Sequence, residues 1–145
     1  MSVDIEIASA ATPELVESLN HLLPQLSTSA SPLSSSDVQS LVDASAVTLF
    51  VARSEEHIVG SLTLVIFPIP TGLRAWIEDV VVDEPARGRG VASALVDHAV
   101  REARRAGAST VDLTSRPSRE VANRLYRALG FSPRETNVYR LMLGG

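Results

Sequence analysis

Val80-Val81-Val82-Asp83-Glu84-Pro85-Ala86-Arg87-Gly88-Arg89-Gly90-Val91-Ala92 constrains this chain more than any other stretch, because a β-branched run ends in an Arg/Gly turn that opens directly into a helix. The first N–H groups of a helix have no carbonyl partners, and the helix dipole puts partial positive charge where they point. A strand-to-helix junction of this kind is therefore an anion site. Gly88 and Gly90 let the backbone approach a ligand without a Cβ in between, while Arg87 and Arg89 add charge-assisted donors. A diphosphate is the natural guest.

Competing phosphate motifs fit less well. A Walker loop ends in Gly-Lys-Ser/Thr, and the chain contains no lysine. A dinucleotide fingerprint needs a third glycine and an acid about 20 residues on, at the end of a second strand; Asp112 is in range but sits inside a strand pattern. Taken alone, Arg-Gly-Arg-Gly also reads as a plain turn.

Context decides. Arg87-Gly88-Arg89-Gly90-Val91-Ala92 resembles the Gln/Arg-x-x-Gly-x-Gly/Ala signature of the GNAT superfamily of acyl-CoA N-acyltransferases, and Asn123-Arg124-Leu125-Tyr126-Arg127-Ala128-Leu129-Gly130-Phe131 resembles the Asn-x-x-Tyr-x-x-x-Gly-Phe block that follows it there. The two blocks and the strand before them cover Trp76 to Phe131, with Ala92 where many members carry a second glycine. The resemblance implies a GNAT fold of the α/β (α+β) class: a mixed, mostly antiparallel central sheet flanked by helices, with its central parallel strands splayed. It implies acetyl-CoA as co-substrate, gripped through its pyrophosphate by residues 87–93, Arg87, Gly88, Arg89, Gly90, Val91, Ala92 and Ser93. Backbone pairing with the pantetheine arm falls on Val80, Val81 and Val82, with an exposed N–H there polarising the thioester carbonyl. Tyr126 matches the tyrosine that protonates the departing thiolate, and Asn123 matches a position bonded to pantetheine or phosphate.

Read from the residues, 145 positions with 45% hydrophobic and 21% charged side chains suit one domain over 1–145 with one core. The absence of cysteine excludes disulfides, thiolate metal sites and a cysteine nucleophile. No membrane-length apolar run and no leader pattern is present, so a cytoplasmic protein is expected, with no membrane partner. The net charge of −4 argues against a nucleic-acid partner. Residues 1–86 hold two arginines and 12 acids, net −10, whereas residues 87–145 hold 11 arginines and five acids, net +6. A polyanionic co-substrate suits the second half, and a cationic amine suits the first.

Patterning predicts a strand around Ile5 and Ile7 and a helix capped by Thr12 with Pro13 at its first position. A serine-rich loop spans 27–36, and a second helix to about Ala44 opens with a capping box at Ser36 and Gln39. Strands follow over Val47–Arg53, Ile58–Phe67 and Ala75–Val82, with Pro68 breaking the pattern between the last two. A helix over Val91–Ala106 stopped by Gly107, a strand over Thr110–Thr114, a helix over Ser118–Leu129 and a hairpin over Phe131–Leu143 complete the order.

Acyl transfer to an amine needs a proton acceptor, an oxyanion donor and a proton for the leaving thiolate. Glu78 and Asp79 interrupt an apolar strand, alternation sends them to opposite faces, and either can serve as base or make structural bonds instead. Ile77-Glu78-Asp79-Val80-Val81-Val82 is similar to the active-site strand of glucosamine-6-phosphate N-acetyltransferases. Thr114 and Arg116 follow the neighbouring strand and are candidates for the acceptor; some relatives place a glutamate where Thr114 stands. Arg127, four residues from Asn123, reaches a phosphate or lies on the surface. His21, His57 and His98 show no metal spacing, and no metal is expected. The expected activity is direct acetyl transfer from acetyl-CoA to a primary amine, small-molecule or peptide, by a possible homodimer. The alternatives are a non-catalytic acyl-CoA sensing module or an amino-sugar-phosphate N-acetyltransferase.

Overall fold

The computed structural model describes residues 2–144. The chain divides into two compact units, one running to Thr114 and the other beginning at Ser115. The first contains β1 (Asp4–Ile7), α1 (Pro13–Leu22), a 3-10 turn (Leu23–Gln25), α2 (Ser35–Asp43), β2 (Val47–Ser54), β3 (His57–Ile69), β4 (Gly72–Val82), a second 3-10 turn (Glu84–Ala86), α3 (Val91–Ala106) and β5 (Thr110–Asp112). The second contains α4 (Glu120–Ala128). The sheet order is β1-β2-β3-β4-β5, antiparallel throughout except for the parallel pair β4 and β5.

Local chemistry sets most boundaries. Thr12 accepts from the Leu15 N–H at 3.1 Å, and Pro13 occupies the first helical turn, where a missing N–H costs nothing. The capping box of α2 lies two residues earlier than its pattern suggests. Asp37 N donates to Ser34 Oγ at 3.0 Å and Ser34 N donates to Asp37 Oδ2 at 2.8 Å, while Gln39 instead accepts from Ala11 N at 3.1 Å. β2 and β3 are joined through Glu55 and Glu56, both left-handed at φ 50° and 72°, the sense of twist a tight hairpin requires. β3 also runs through Pro68, which sits past the last β2 pairing at Val65, so no ladder bond is lost on that side.

Period-two alternation gives the sheet two apolar faces. Leu49, Val51 and Val81 pack with Leu15, Leu19 and Leu22 of α1 and Val38 of α2. The opposite face carries Phe50, Leu62 and Leu64, against which α3 lays Val91, Leu95 and Ala99. Leu22, Leu62, Leu64 and Leu95 are fully buried, each contributing about 1.5–3 kcal/mol relative to exposure. Gly60 is the close approach between sheet and helix: a Cβ there would meet Val81 O at 3.1 Å and Leu95 Cδ1 and Val91 Cγ1 at 3.2 Å. This contact seats the first turn of α3 beside the end of β4.

The expected hairpin over Phe131–Leu143 does not form: no strand occurs among the described residues after β5. Val138, Tyr139, Leu141, Met142 and Leu143 are exposed, so the strand-type composition of this segment is not matched by burial. The predicted strand over Thr110–Thr114 ends at Asp112, and the helix expected from Ser118 begins at Glu120.

Candidate functional site

In the first unit the site is built around an irregularity in β4. Glu78 pairs with Thr63 and Val81 with Ser61, so three steps along β4 match two along β3 and the strand holds one extra residue. Asp79 takes up the strain at φ 51°, a left-handed conformation uncommon for a side chain other than glycine or asparagine. The bulge reverses the faces of the strand. Ile77 lies opposite Leu64, on the α3 side, whereas Val81, four residues on, packs into the α1/α2 cluster. Strict alternation therefore does not carry through Asp79, and both Glu78 and Asp79 are exposed.

On its other edge β4 pairs with β5 only through Arg74, Ala75 and Trp76. β5 ends opposite Trp76, and among the described residues no strand pairs with that edge from Ile77 to Val82. Main-chain groups of residues 77–82 on that edge therefore meet no partner strand among the described residues, a geometry suited to an extended ligand that pairs with backbone.

The carboxylates of the bulge differ in environment. Trp76 Nε1–H donates to Glu78 Oε2 at 2.6 Å, holding that carboxylate. Burial, with a smaller contribution from the Glu78 charge, raises the Asp79 carboxyl above the ordinary aspartate range. The pair thus comprises one tethered carboxylate and one poised to take a proton.

The turn that follows is fastened from the far side of the chain. Arg87 Nε donates to the Val82 carbonyl at 3.0 Å, and Arg87 Nη2 to Gln25 Oε1 at 3.4 Å. Gln25 Oε1 also accepts from Glu84 N at 3.0 Å, and Gln25 Nε2 donates to Asp83 Oδ1 at 2.9 Å. That bond holds the Asp83 carboxyl below its usual range, and His21 Nε2, 3.1 Å away, adds to the effect. The guanidinium of Arg87, expected from sequence to face a phosphate, is tied into the turn. Gly88 and Gly90 are left-handed at φ 78° and 79°, and Gly90 caps α3 with no side-chain bond to the first-turn N–H groups. No acid lies in that turn. Val91, Ala92 and Ser93 thus begin a helix whose N-terminal residue gives no side-chain cap, and a Cβ at Gly88 or Gly90 would meet no other atom within 4 Å.

In the second unit, Tyr126 stands on α4 with its ring edge-on to Phe131, centroids 5.9 Å apart. Tyr126 is buried, and burial raises its hydroxyl pKa against the opposing charge of Arg119. Asn123 Nδ2 donates to the Arg116 carbonyl at 2.9 Å, bracing the entry to α4, and Asn123 and Arg127 line an open depression with Pro117, Glu120 and Arg124. The Arg116 side chain is exposed. Thr114, at the end of the first unit, is exposed two residues after β5.

Sequence reasoning missed Trp76 and Gln25. A lone tryptophan two residues before a strand acid shares its face and was a readable signal. Gln25 lies 58 residues from Asp83 and carries no local signature. Among the described residues no group of three or more His, Cys, Asp or Glu is placed to hold a metal ion.

Residues 14–131 match the profile of the Acetyltransferase (GNAT) family. The chain is 33% identical over 96 residues to the N-alpha-acetyltransferase MAK3 of Arabidopsis thaliana, covering 66% of this chain and 50% of the relative. It thus spans about half the length of that curated relative. A Trypanosoma brucei acetyltransferase structure superposes with a TM-score of 0.81 at 29% identity, covering 98% of this chain and 100% of the other. A transcriptional regulator from Bacillus halodurans gives the same TM-score and identity over 97% of this chain and 100% of its own.

Proposed function

This chain belongs to the GNAT acetyltransferase family, and from that membership we propose that it is an acetyl-CoA-dependent N-acetyltransferase, how its residues carry the reaction and which amine receives the acetyl group. Acetyl-CoA and the amine bind together and the acetyl group passes directly between them. The observation that carries this reading is the bulged edge of β4, unpaired beyond Trp76 among the described residues, running into a helix N-terminus without a side-chain cap.

The diphosphate sits on the N–H groups of residues 88–93, and the thioester arm runs back along Val82, Val81 and Val80. Glu78 and Val82 lie opposite Thr63 and Gly60, three steps or about 10 Å apart along β3, so the acidic end and the anion end of β4 are separated. A main-chain N–H at the bulge polarises the thioester carbonyl and stabilises the tetrahedral oxyanion. Asp79, the carboxyl raised by burial, accepts the ammonium proton, directly or through water, and Glu78 holds the amine by charge. The neutral amine attacks the carbonyl carbon, the C–S bond breaks as Tyr126 gives its hydroxyl proton to the thiolate, and the excess proton left on the new amide nitrogen passes through water to restore the tyrosine. Asn123 and Arg127 contact the coenzyme; Thr114 and Arg116 contact the acceptor.

The acidic pair favours a small cationic amine over an anionic sugar phosphate. The enzyme works as a homodimer in the cytoplasm. Among the described residues no helix is long and apolar enough to cross a membrane. The test is thiol release from acetyl-CoA with a panel of polyamines, amino acids, aminoglycosides, peptide N-termini and glucosamine 6-phosphate. Turnover with cationic amines, with KM rising as salt screens the acids and kcat unchanged, is expected. Efficient turnover of glucosamine 6-phosphate alone overturns the acceptor assignment, and acetyl-CoA binding without turnover on any amine overturns the catalytic one.

A further inference from the structure

The reaction described above uses Trp76, the chain's single tryptophan, only as a tether for Glu78. Trp76 stands two residues before Glu78 on the same face of β4 and is half-buried, so part of the indole is accessible beside that carboxylate. The bond from Nε1–H to Glu78 Oε2, 2.6 Å long, is charge-assisted; it orients the ring and pushes electron density onto its π-face. Among side chains an indole face is the best seat for an ammonium group. Trp76 is also the last β4 residue paired with β5, where it lies opposite Asp112, and Arg74, two residues earlier, donates to Asp112 Oδ2 at 3.5 Å. The Arg74 charge is thus matched, and with Glu78 the group around the indole is left net negative.

We propose that Trp76 determines which amine is accepted: its indole seats a second ammonium group of the acceptor while the first reacts at the bulge, so the acceptor is an α,ω-diamine or the terminal diamine unit of a longer polyamine. This rests on the assignment of Glu78 and Asp79 to the reacting amine. Positions two apart along a strand are separated by about 6.7 Å, a distance that an alkyl spacer of about four or five methylenes covers. Glu78 lies between the two seats and attracts both charges, while its bond to Nε1–H keeps the ring in place. A monoamine of the same length leaves the indole facing a methyl group and forgoes the cation–π attraction. A sugar phosphate would bring an anion against an electron-rich ring beside a carboxylate, which is repulsive.

Because the chain has one tryptophan, the seat is readable without turnover. Emission of the wild-type protein, saturated with coenzyme A, is titrated with putrescine, with cadaverine, and with n-hexylamine, which replaces the second amine of cadaverine by a methyl group. A saturable change is expected, with cadaverine binding about tenfold more tightly than n-hexylamine. In thiol-release assays Trp76→Leu should bring kcat/KM for the two amines to within about twofold of each other, whereas Trp76→Phe, which keeps a weaker aromatic face, should retain part of the difference. A merely structural role would lower both amines alike and leave their ratio unchanged. Equal binding of the two amines, no response of the emission to either, or a diamine preference that survives in Trp76→Leu would overturn the proposal, while thiol release from acetyl-CoA with any amine would leave the acetyltransferase reading standing. Tight diamine binding without thiol release would remove that reading and leave the seat. Should Trp76→Leu fail to fold, the wild-type emission decides, together with Trp76→Phe, in which an undiminished preference would overturn the proposal.

Discussion

The rings of Tyr126 and Phe131 meet edge to face at 65°, and this contact closes the end of α4. Phe131 N donates to the Tyr126 carbonyl at 2.9 Å and Gly130 N to that of Arg127 at 3.1 Å, the paired bonds of a Schellman close, with Gly130 left-handed at φ 99°. The Tyr-x-x-x-Gly-Phe spacing thus has a physical basis: glycine supplies the turn, and phenylalanine packs back on the tyrosine one turn earlier. Tyr126→Phe keeps the ring contact and removes the proton donor, so turnover should fall by roughly 10² with acetyl-CoA affinity unchanged. Because burial raises the Tyr126 pKa, the wild-type hydroxyl keeps its proton through neutral pH, and the alkaline limb of kcat should lie above the ordinary tyrosine value of 10.0. A Tyr126→Phe enzyme with normal turnover would remove the tyrosine from the mechanism.

Asp79 trades stability for reactivity. Its carboxyl is raised in the folded chain, so folding binds the proton more tightly than the unfolded chain does. Stability contributed by the protonated form is full below the unfolded value of 3.8 and is lost as pH rises through the folded pKa. Asp79→Asn tolerates the left-handed backbone and removes the partly desolvated charge, so its Tm at pH 8 should exceed that of wild type while turnover falls by about 10². The Tm difference should shrink toward pH 4. Equal Tm values across that range would contradict the assigned burial, and unchanged turnover would move the base elsewhere.

Most of the helices and strands were legible because their signals are local. Thr12 with Pro13, Gly107 after a 16-residue amphipathic helix, and the valine run of β4 each act over a few residues. The acid pair, the Arg/Gly turn and the α4 block were legible for the same reason. The bulge at Asp79 was not, because it arises from the register between β3 and β4, and alternation read along one strand carries no register. Nor was the engagement of Arg87 by Val82 and Gln25, which depends on a turn 62 residues away. The C-terminal hairpin failed in the opposite sense: its composition suits strands, but composition along a segment does not fix whether it pairs.

Gln25 offers a test of the turn that leads into the anion site. Its amide joins Asp83, Glu84 and Arg87, three bonds of which each contributes about 0.5–1.5 kcal/mol. Gln25→Ala should loosen the turn and raise the KM for acetyl-CoA by roughly tenfold, about 1.4 kcal/mol, with kcat nearly unchanged. An equal loss in kcat and no change in KM would show that the clamp serves the reacting centre instead.

The anion site itself is tested most directly by calorimetric titration of acetyl-CoA into a Ser93→Glu variant. Ser93 is the third residue of α3, whose first turn holds no acid and whose N-terminus has no side-chain cap. A carboxylate there favours the helix dipole, so the apo protein should be as stable as wild type or slightly more so. The same carboxylate occupies the charge position of the diphosphate. The account predicts an unchanged or raised apo Tm together with a loss of acetyl-CoA affinity greater than tenfold. Wild-type affinity in a folded Ser93→Glu protein would contradict it.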